Sequence, residues 1–340
     1  MDDSRKLVIL YGSQTGYAED TARRIARQAW RRHFTTIVQA MDSADKQLVF
    51  TTSHPVLFIC STTGQGAEPD NMRRFWRFLL RKSLPHDALS SMQFAVFGLG
   101  DSSYQKFNFP AKRLFRRLQQ LGARPLVERG DGDDQHYLGV DGQLDPWLAL
   151  LWDRLLEDMP LPRPIIPESV VPDSTYRVEV CDDDVETQEY FPEDSTYRVV
   201  LTVSERITAA DHFQDVRHLR FAIDSSDSEN TAAVWGPGDC AVVRPQNLSA
   251  DVDAFLTATS WGIYADRRLR VTALESGGSM RVATLRWLLT SHFDIMGVPR
   301  RSFFEMLSYF ALEGSAEQSK LREFSSTAGQ DDLLAYCMRP

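Results

Sequence analysis

The sequence predicts an α/β chain. A doubly wound, five-stranded parallel sheet comes first, and an antiparallel sheet or barrel and then a run of helices follow. Three observations predict this. Through the first half, short apolar runs alternate with stretches of helical periodicity, the pattern of a parallel sheet covered on both faces. The three strongest runs each end in a turn rich in glycine and hydroxyls. From about Tyr197 the periodicity changes to β-type alternation, and from Thr284 it becomes helical again.

The elements follow in order. Lys6–Tyr11 (KLVILY), Val56–Cys60 (VLFIC) and Phe94–Phe97 (FAVF) read as buried strands, with weaker ones near Thr36–Ala40 and Arg124–Glu128. Gly16–His33, Met72–Lys82, Phe109–Leu121 and about Pro146–Leu156 read as the intervening helices, and Gly122 stands where a C′ glycine ends a helix. Ligands of such a sheet bind at the strand C-termini. Residues 159–196 are Pro-rich and then acidic, and read as a linker. Within them DSTYRV at Asp173–Val178 recurs at Asp194–Val199, a repeat with no assigned role. Arg198–Val203, Val216–Ile223 and Cys240–Val243 read as strands, with a turn at Gly236–Asp239. Thr284–His292, Arg301–Leu312, Ala316–Phe324 and Asp331–Tyr336 read as helices.

Composition excludes several function classes. The net charge is −9, and residues 159–200 hold much of the acidic excess, so no basic face offers itself to nucleic acid. No run approaches the roughly 18 apolar residues of a membrane span, and the acidic start Met1-Asp2-Asp3 resembles no signal peptide. Cys60, Cys181, Cys240 and Cys337 lie far apart, and the seven histidines show no paired spacing, so neither a disulfide framework nor a metal site is expected. Together these features predict a protein of a reducing compartment, most simply the cytoplasm.

The chemistry lies in the turns. Gly12-Ser13-Gln14-Thr15-Gly16-Tyr17-Ala18 joins a strand to a helix and carries hydroxyls and glycine but no Lys or Arg. Backbone N–H groups at a helix N-terminus bind anions, which suits a phosphate monoester held without a counter-ion. A Walker loop is excluded, because no Gly-Lys-Ser/Thr ends it. Ser61-Thr62-Thr63-Gly64-Gln65-Gly66 lets backbone approach a planar ligand closely. Gly98-Leu99-Gly100-Asp101-Ser102-Ser103-Tyr104-Gln105-Lys106-Phe107-Asn108 sets a tyrosine among small polar residues, where it can stack on a flat ring. It is not a dinucleotide fingerprint, since the third glycine is missing. Each turn alone reads as an ordinary helix start or loop. All three at one edge of one sheet point to a single ligand.

These turns resemble the FMN loops of the diflavin reductase family: SQTG, then TTGQG followed by PDN, then GLGDSSYxKFN. Gly130-Asp131-Gly132-Asp133-Asp134-Gln135-His136 is similar to the acidic loop that closes the same site. The GDSSY and DDQH spellings most resemble the branch that serves cytosolic iron–sulfur protein assembly. His212–Val216, Gly236–Asn247 and Pro299–Glu305 resemble the start of that family's ferredoxin-reductase-type FAD domain and its helical insert. The resemblance implies a flavodoxin-like FMN domain over residues 1–158, the linker at 159–196, and over 197–340 the incomplete N-terminal part of an FAD-binding domain, a partial β-barrel with its helical connecting region. It implies FMN phosphate on Ser13, Gln14, Thr15, Gly16, Tyr17 and Ala18. Ser61, Thr62, Thr63 and Gly64 would hold the flavin ring and ribityl chain. So would Leu99, Gly100, Asp101, Ser102, Ser103, Tyr104, Gln105, Lys106, Phe107 and Asn108. Tyr104 would stack, Asp134 would lie beside the cofactor, and the Gly64 backbone would contact flavin N5. Thr63 stands where the P450-reductase branch has an aromatic residue, which implies a more exposed ring face.

The resemblance further implies an electron path from NADPH to FAD to FMN and on to an iron–sulfur assembly factor of the anamorsin type. The family's Arg-x-Tyr/Phe-Ser motif, second flavin loop and NADPH domain are not found before Pro340, and a C-terminal truncation is the expectation. The alternatives are a non-enzymatic FMN- and partner-binding fragment, or a reductase of P450-reductase type. The Arg-rich run Arg73, Arg74, Arg77, Arg81, Lys82 reads as the solvated face of a helix, with docking of an acidic acceptor as its other reading.

Overall fold

In the computed structural model, residues 5–181, 186–187, 199–223, 236–238, 243–274 and 280–337 are described. They divide into two compact units: Met1–Pro172 together with Val298–Pro340, and Asp173–Gly297.

The first unit is built on strands β1 (Lys6–Gly12), β2 (Thr35–Ala40), β3 (Val56–Ser61), β4 (Gln93–Gly100), β5 (Arg124–Pro125) and β6 (Gly130–Asp133). Between them run helices α1 (Tyr17–Arg31), α2 (Lys46–Thr51), α3 (Arg73–Leu79), α4 (Phe109–Gln120) and, after β6, α5 (Asp141–Asp158). The sheet order is β2-β1-β3-β4-β5, all parallel, and β6 also pairs with β4. Strand alternation splits the apolar runs between two cores. Val8, Leu10, Val56, Phe58, Phe94 and Val96 pack with α3 and α4 on one face. Leu7, Ile9, Leu57, Ile59, Ala95, Phe97 and Leu99 pack with α1 and α5 on the other. Runs apolar at every position are therefore what this sheet requires, since neither face of its central strands meets water. Within them Cys60 is fully buried, and burial pushes its thiol up to about 12.

The fifth strand differs from the expectation near Arg124–Glu128. The edge of β4 is shared by two short strands: β5 pairs Arg124 with Gln93, and β6 pairs Gly130–Asp133 with Phe97–Gly100. Gly130 explains the second pairing, because a Cβ there would lie 2.3 Å from the Phe97 ring. The acidic loop thus begins as sheet, and its position is set by β4 hydrogen bonding. Helix α5 is also longer than Pro146–Leu156. It starts at Asp141, and Pro146, its sixth residue, lies inside the helix and leaves the Gly142 carbonyl without its i+4 N–H donor.

The second unit holds β7 (Tyr176–Val180), β8 (Val199–Arg206), β9 (Arg217–Ile223), α6 (Ser249–Ala258), β10 (Arg268–Ala273), β11 (Met280–Thr284) and α7 (Leu285–Trp287), which runs on as a π-turn over Leu288–His292. Its described strands form an antiparallel three-stranded sheet, β11-β10-β7, and a β8–β9 hairpin. Strand β7 lies inside the stretch read as a linker. Its alternating YRVEV pairs Tyr176–Val180 with Ala273–Leu269, so backbone pairing claims residues whose composition looked unstructured. The expected strand Cys240–Val243, the second DSTYRV copy and Arg198 fall largely outside the described residues.

Returning to the first unit, α8 (Arg301–Ser308), α9 (Ala316–Phe324) and α10 (Gln330–Cys337) follow the expected helices closely and share a small core of Phe304, Phe324 and Leu333. By sequence these helices continue the second half of the chain. In space they group with the parallel-sheet domain. Among the described residues, no helix is long and apolar enough to cross a membrane.

Candidate flavin site

Four loops leave the same edge of the sheet, after β1, β3, β4 and β6. The first is Ser13–Gly16. Gly16 caps α1 in the left-handed conformation, φ 83°, which a side chain would strain. The Ser13 N–H donates to Asn71 Oδ1 at 2.8 Å, and the Ser13 hydroxyl accepts from Ala18 N–H at 3.2 Å. Gln14 and Asp70 exchange two hydrogen bonds, Nε2 to Oδ2 at 3.2 Å and Asp70 N–H to Oε1 at 3.1 Å. The loop is thereby tied to the segment that follows β3. The amides of Gln14, Thr15, Gly16 and Tyr17 find no acceptor among the described residues. Four consecutive free N–H groups at a helix start form a nest for an anion.

The second loop folds back on itself. Thr63 and Ala67 form an isolated bridge, with the Thr63 N–H on Ala67 O at 3.0 Å and the Thr63 hydroxyl on the same oxygen at 3.1 Å. Thr62 N–H donates to Leu99 O at 2.9 Å, joining this loop to the next. Its hydroxyl oxygen is buried and has no hydrogen-bond partner among the described residues. Gly64, φ 46°, faces open space where a Cβ would be, which leaves its backbone accessible.

The third and fourth loops hold each other. Asp133 accepts from Ser102 N–H at 2.8 Å and Gln135 N–H at 3.1 Å, and Asp134 N–H donates to Gly100 O at 2.9 Å. Asn108, fully buried with φ 51°, caps α4 and donates to Gly132 O at 3.0 Å. Hydrogen bonds from Ser103 hold the Asp101 carboxyl below its ordinary range. Burial would raise Asp133, but bonds from Ser102 and Gln135 outweigh it and lower it. Tyr104 is 59% exposed on this rim.

The structure thus brings Ser13–Ala18, Ser61–Gly64, Leu99–Asn108 and Asp134 to one edge. Not all of them face outward. Ala18, Leu99 and Asn108 are buried and shape the loops from inside. Three further residues belong to the site. Asn71 fixes the first loop. Asp133 is the shared acceptor of the third and fourth. Tyr137, 77% exposed, puts a second aromatic ring on the loop after β6. The PDN and DDQHY spellings contained the signal for all three.

Burial pushes the Tyr17 phenol up to about 12. Asp141 and Asp134 add to the shift, Arg301 opposes it, and Asp20 adds a little more. The raised value means that the folded state favours the neutral phenol. Its contribution to stability is complete below pH about 10, the ordinary phenol value. It fades as the pH rises toward 12. In an absorbance titration of ionised tyrosine, Tyr17→Phe should remove one phenol from the part of the curve above pH about 10, the ordinary phenol value, while Tyr309, which burial also raises, stays there. If Tyr17→Phe leaves the high-pH end of that curve unchanged, the assignment is wrong.

FMN fits what is present. The nest of free amides offers donors to a phosphate, the orphaned Thr62 hydroxyl lacks a polar partner, and Gly64 leaves room for a ring edge. Among the described residues no cluster of His, Cys, Asp and Glu could hold a metal ion.

Residues 9–147 match the family model described as flavodoxin, and residues 189–338 match the one described as FAD binding domain. The chain is 41% identical over 358 residues to NADPH-dependent diflavin oxidoreductase 1 of Xenopus laevis, covering 99% of this chain and 58% of that protein. It is 43% identical over 357 residues to the protein of that name in Danio rerio, covering 98% and 58%. The Dictyostelium discoideum protein of that name is 35% identical over 343 residues, covering 98% and 54%. The chain therefore spans a little over half the length of the curated relatives it matches. A match to the flavodoxin model ahead of a match to the FAD binding domain model, with this kinship along nearly all its length, makes the chain similar to the proteins named NADPH-dependent diflavin oxidoreductase 1.

Proposed function

We propose that this chain holds FMN on the four loops of its first domain and lies on an electron path in the cytoplasm. The path runs from NADPH through FAD and FMN to an iron–sulfur assembly protein of the anamorsin type. The observation that carries the reading is the nest of free amides at Gln14–Tyr17, supported by the orphaned Thr62 hydroxyl on the loop after β3. When bound, FMN supplies the redox chemistry, because no side chain of the loops does so. The chain binds and orients it. Amides 14–17 and the Ser13 and Thr15 hydroxyls take the phosphate. Thr62, Thr63 and Gly64 border the ring, and Tyr104 stacks on it. The ring's hydrogen bonding falls to backbone and hydroxyl groups, while Asp101 and Asp133 keep the far rim anionic.

The test is a flavin count on the purified chain, with FMN separated from FAD after release. About one FMN per chain is expected. No flavin, and no uptake of added FMN, would overturn the reading. Cytochrome c reduction with NADPH then asks whether this chain alone accepts hydride. Reduction of an anamorsin-type acceptor by the photoreduced, FMN-loaded chain tests the last step.

A further inference from the structure

By sequence, the loop Ser13–Gly16 has no cation of its own. The fold supplies one from 284 residues away. Arg300, immediately before α8, donates from Nη1 to Gly16 O and from Nη2 to Thr15 O, each at 2.8 Å. Its guanidinium lies 5.4 Å from the centre of the Tyr17 ring. The contact is part of a continuous seam. Ser302 Oγ donates to Asp20 Oδ1 at 2.5 Å, Arg301 pairs with Asp141 at 2.6 Å, Arg27 with Glu305 at 2.7 Å, and Arg31 donates to the Tyr309 hydroxyl at 2.7 Å. Nearly every partner on the sheet-domain side belongs to α1 or the loop that opens it.

The two carbonyls matter because of what lies across each peptide plane. In a trans peptide the C=O of one residue and the N–H of the next point in opposite directions. Thr15 O shares a plane with Gly16 N–H, and Gly16 O shares one with Tyr17 N–H. A guanidinium that holds both oxygens from outside turns both N–H groups toward the opposite side, into the nest. Gly16, free to rotate through φ of either sign, is the residue whose planes most need holding. Arg is suited to this because its planar fork presents two parallel donors.

We infer that Arg300 is a positioning residue of the phosphate loop, and that docking of the α8–α10 segment and binding of the flavin phosphate favour one another. The inference rests on the FMN reading above. Linkage makes it reciprocal: a segment that orders the loop for phosphate is itself held more firmly when phosphate is bound.

The experiment compares the full chain with Arg300→Gln and Arg300→Lys. Dissociation constants for FMN and for riboflavin, which lacks the phosphate, are read from flavin fluorescence. Backbone order parameters of residues 15–17 are measured by NMR in the flavin-free chain. Arg300→Gln should weaken FMN binding about tenfold, equivalent to about 1.4 kcal/mol, leave riboflavin binding unchanged, and lower the order parameters at Gly16 and Tyr17. Arg300→Lys, without the fork, should recover only part of the loss. An FMN constant within twofold of the parent, or equal weakening of FMN and riboflavin, overturns the inference. If the parent binds no FMN, the flavin reading fails. The order parameters then decide the positioning role on their own: unchanged values in Arg300→Gln refute it.

Discussion

Replacing Asp141 by alanine should destabilise the first unit by about 3 kcal/mol, the lower end of the range for breaking a buried ion pair from one side. Asp141 stands at the start of α5, with 10% of its side chain exposed. It receives Arg24 on one oxygen at 2.5 Å and Arg301 on the other at 2.6 Å. Both guanidinium groups are themselves largely covered, at 22% and 13% exposure. Burial works against the Arg24 charge, but Asp141 and Asp145 more than offset it, so the Arg24 pKa is raised. Without Asp141, Arg301 loses its only carboxylate partner among the described ion pairs, while Arg24 keeps Asp145 at 2.6 Å. That remaining partner is why the lower end applies. Asp145→Ala, whose carboxylate is 39% exposed, should cost less than about 1 kcal/mol. Urea unfolding followed by tryptophan fluorescence reads both, since Trp147 and Trp152 lie buried on the same helix. Equal losses from the two substitutions would mean that Asp141 is not the keystone of this seam.

The second large effect is expected at Gly100, the last residue of β4. A Cβ there would lie 2.5 Å from Asn108 Oδ1 and 3.2 Å from the Asn108 backbone nitrogen. Asn108 has no route of escape. It is fully buried, in a left-handed conformation, and bonded to Gly132 O. Its side chain also closes against Gly98, where a Cβ would be 3.0 Å from Asn108 Cγ. Gly100→Ala should therefore move the third loop and, through Asp134 N–H on Gly100 O, the fourth. Overpacking of this kind costs about 1–3 kcal/mol. Because both loops border the ring in the proposed flavin site, FMN affinity should fall about tenfold for each 1.4 kcal/mol transmitted to the site. Gly64→Ala is the control. Its Cβ meets no protein atom within 4 Å, so in the flavin-free chain its effect on stability reports backbone strain alone. FMN binding by Gly100→Ala within threefold of the parent would show that the loops are not coupled as the hydrogen bonds indicate.

Part of this protein was legible in its residues. KLVILY, VLFIC and FAVF are apolar at every position, and only a strand buried on both faces uses such runs. The turns that end them carry glycines where backbone must bend or approach a ligand, and hydroxyls where donors are needed without charge. Both kinds of information are local, so the parallel sheet, its helices and the ligand loops could be named from order and spacing, while the flavin itself was implied by the resemblance of those loops to a known family.

The rest depends on partners distant in sequence. Whether GDGD is loop or strand is decided by β4, whose edge hydrogen-bonds it. Whether YRVEV is linker or strand is decided by β10, nearly a hundred residues later. Asn108 reads as a ligand contact within its motif and proves to be a buried strut, because Gly98, Gly100 and Gly132 close around it. Arg300 lies in the segment Pro299–Glu305, whose spelling carries no link to the first loop, and only the packing of the C-terminal helices against α1 brings it to the carbonyls of Thr15 and Gly16. Periodicity and motif spacing report what a residue does within its own element. Which element it then meets is settled by packing and by the hydrogen bonds left open at sheet edges and helix ends, and those exist only once the chain has folded.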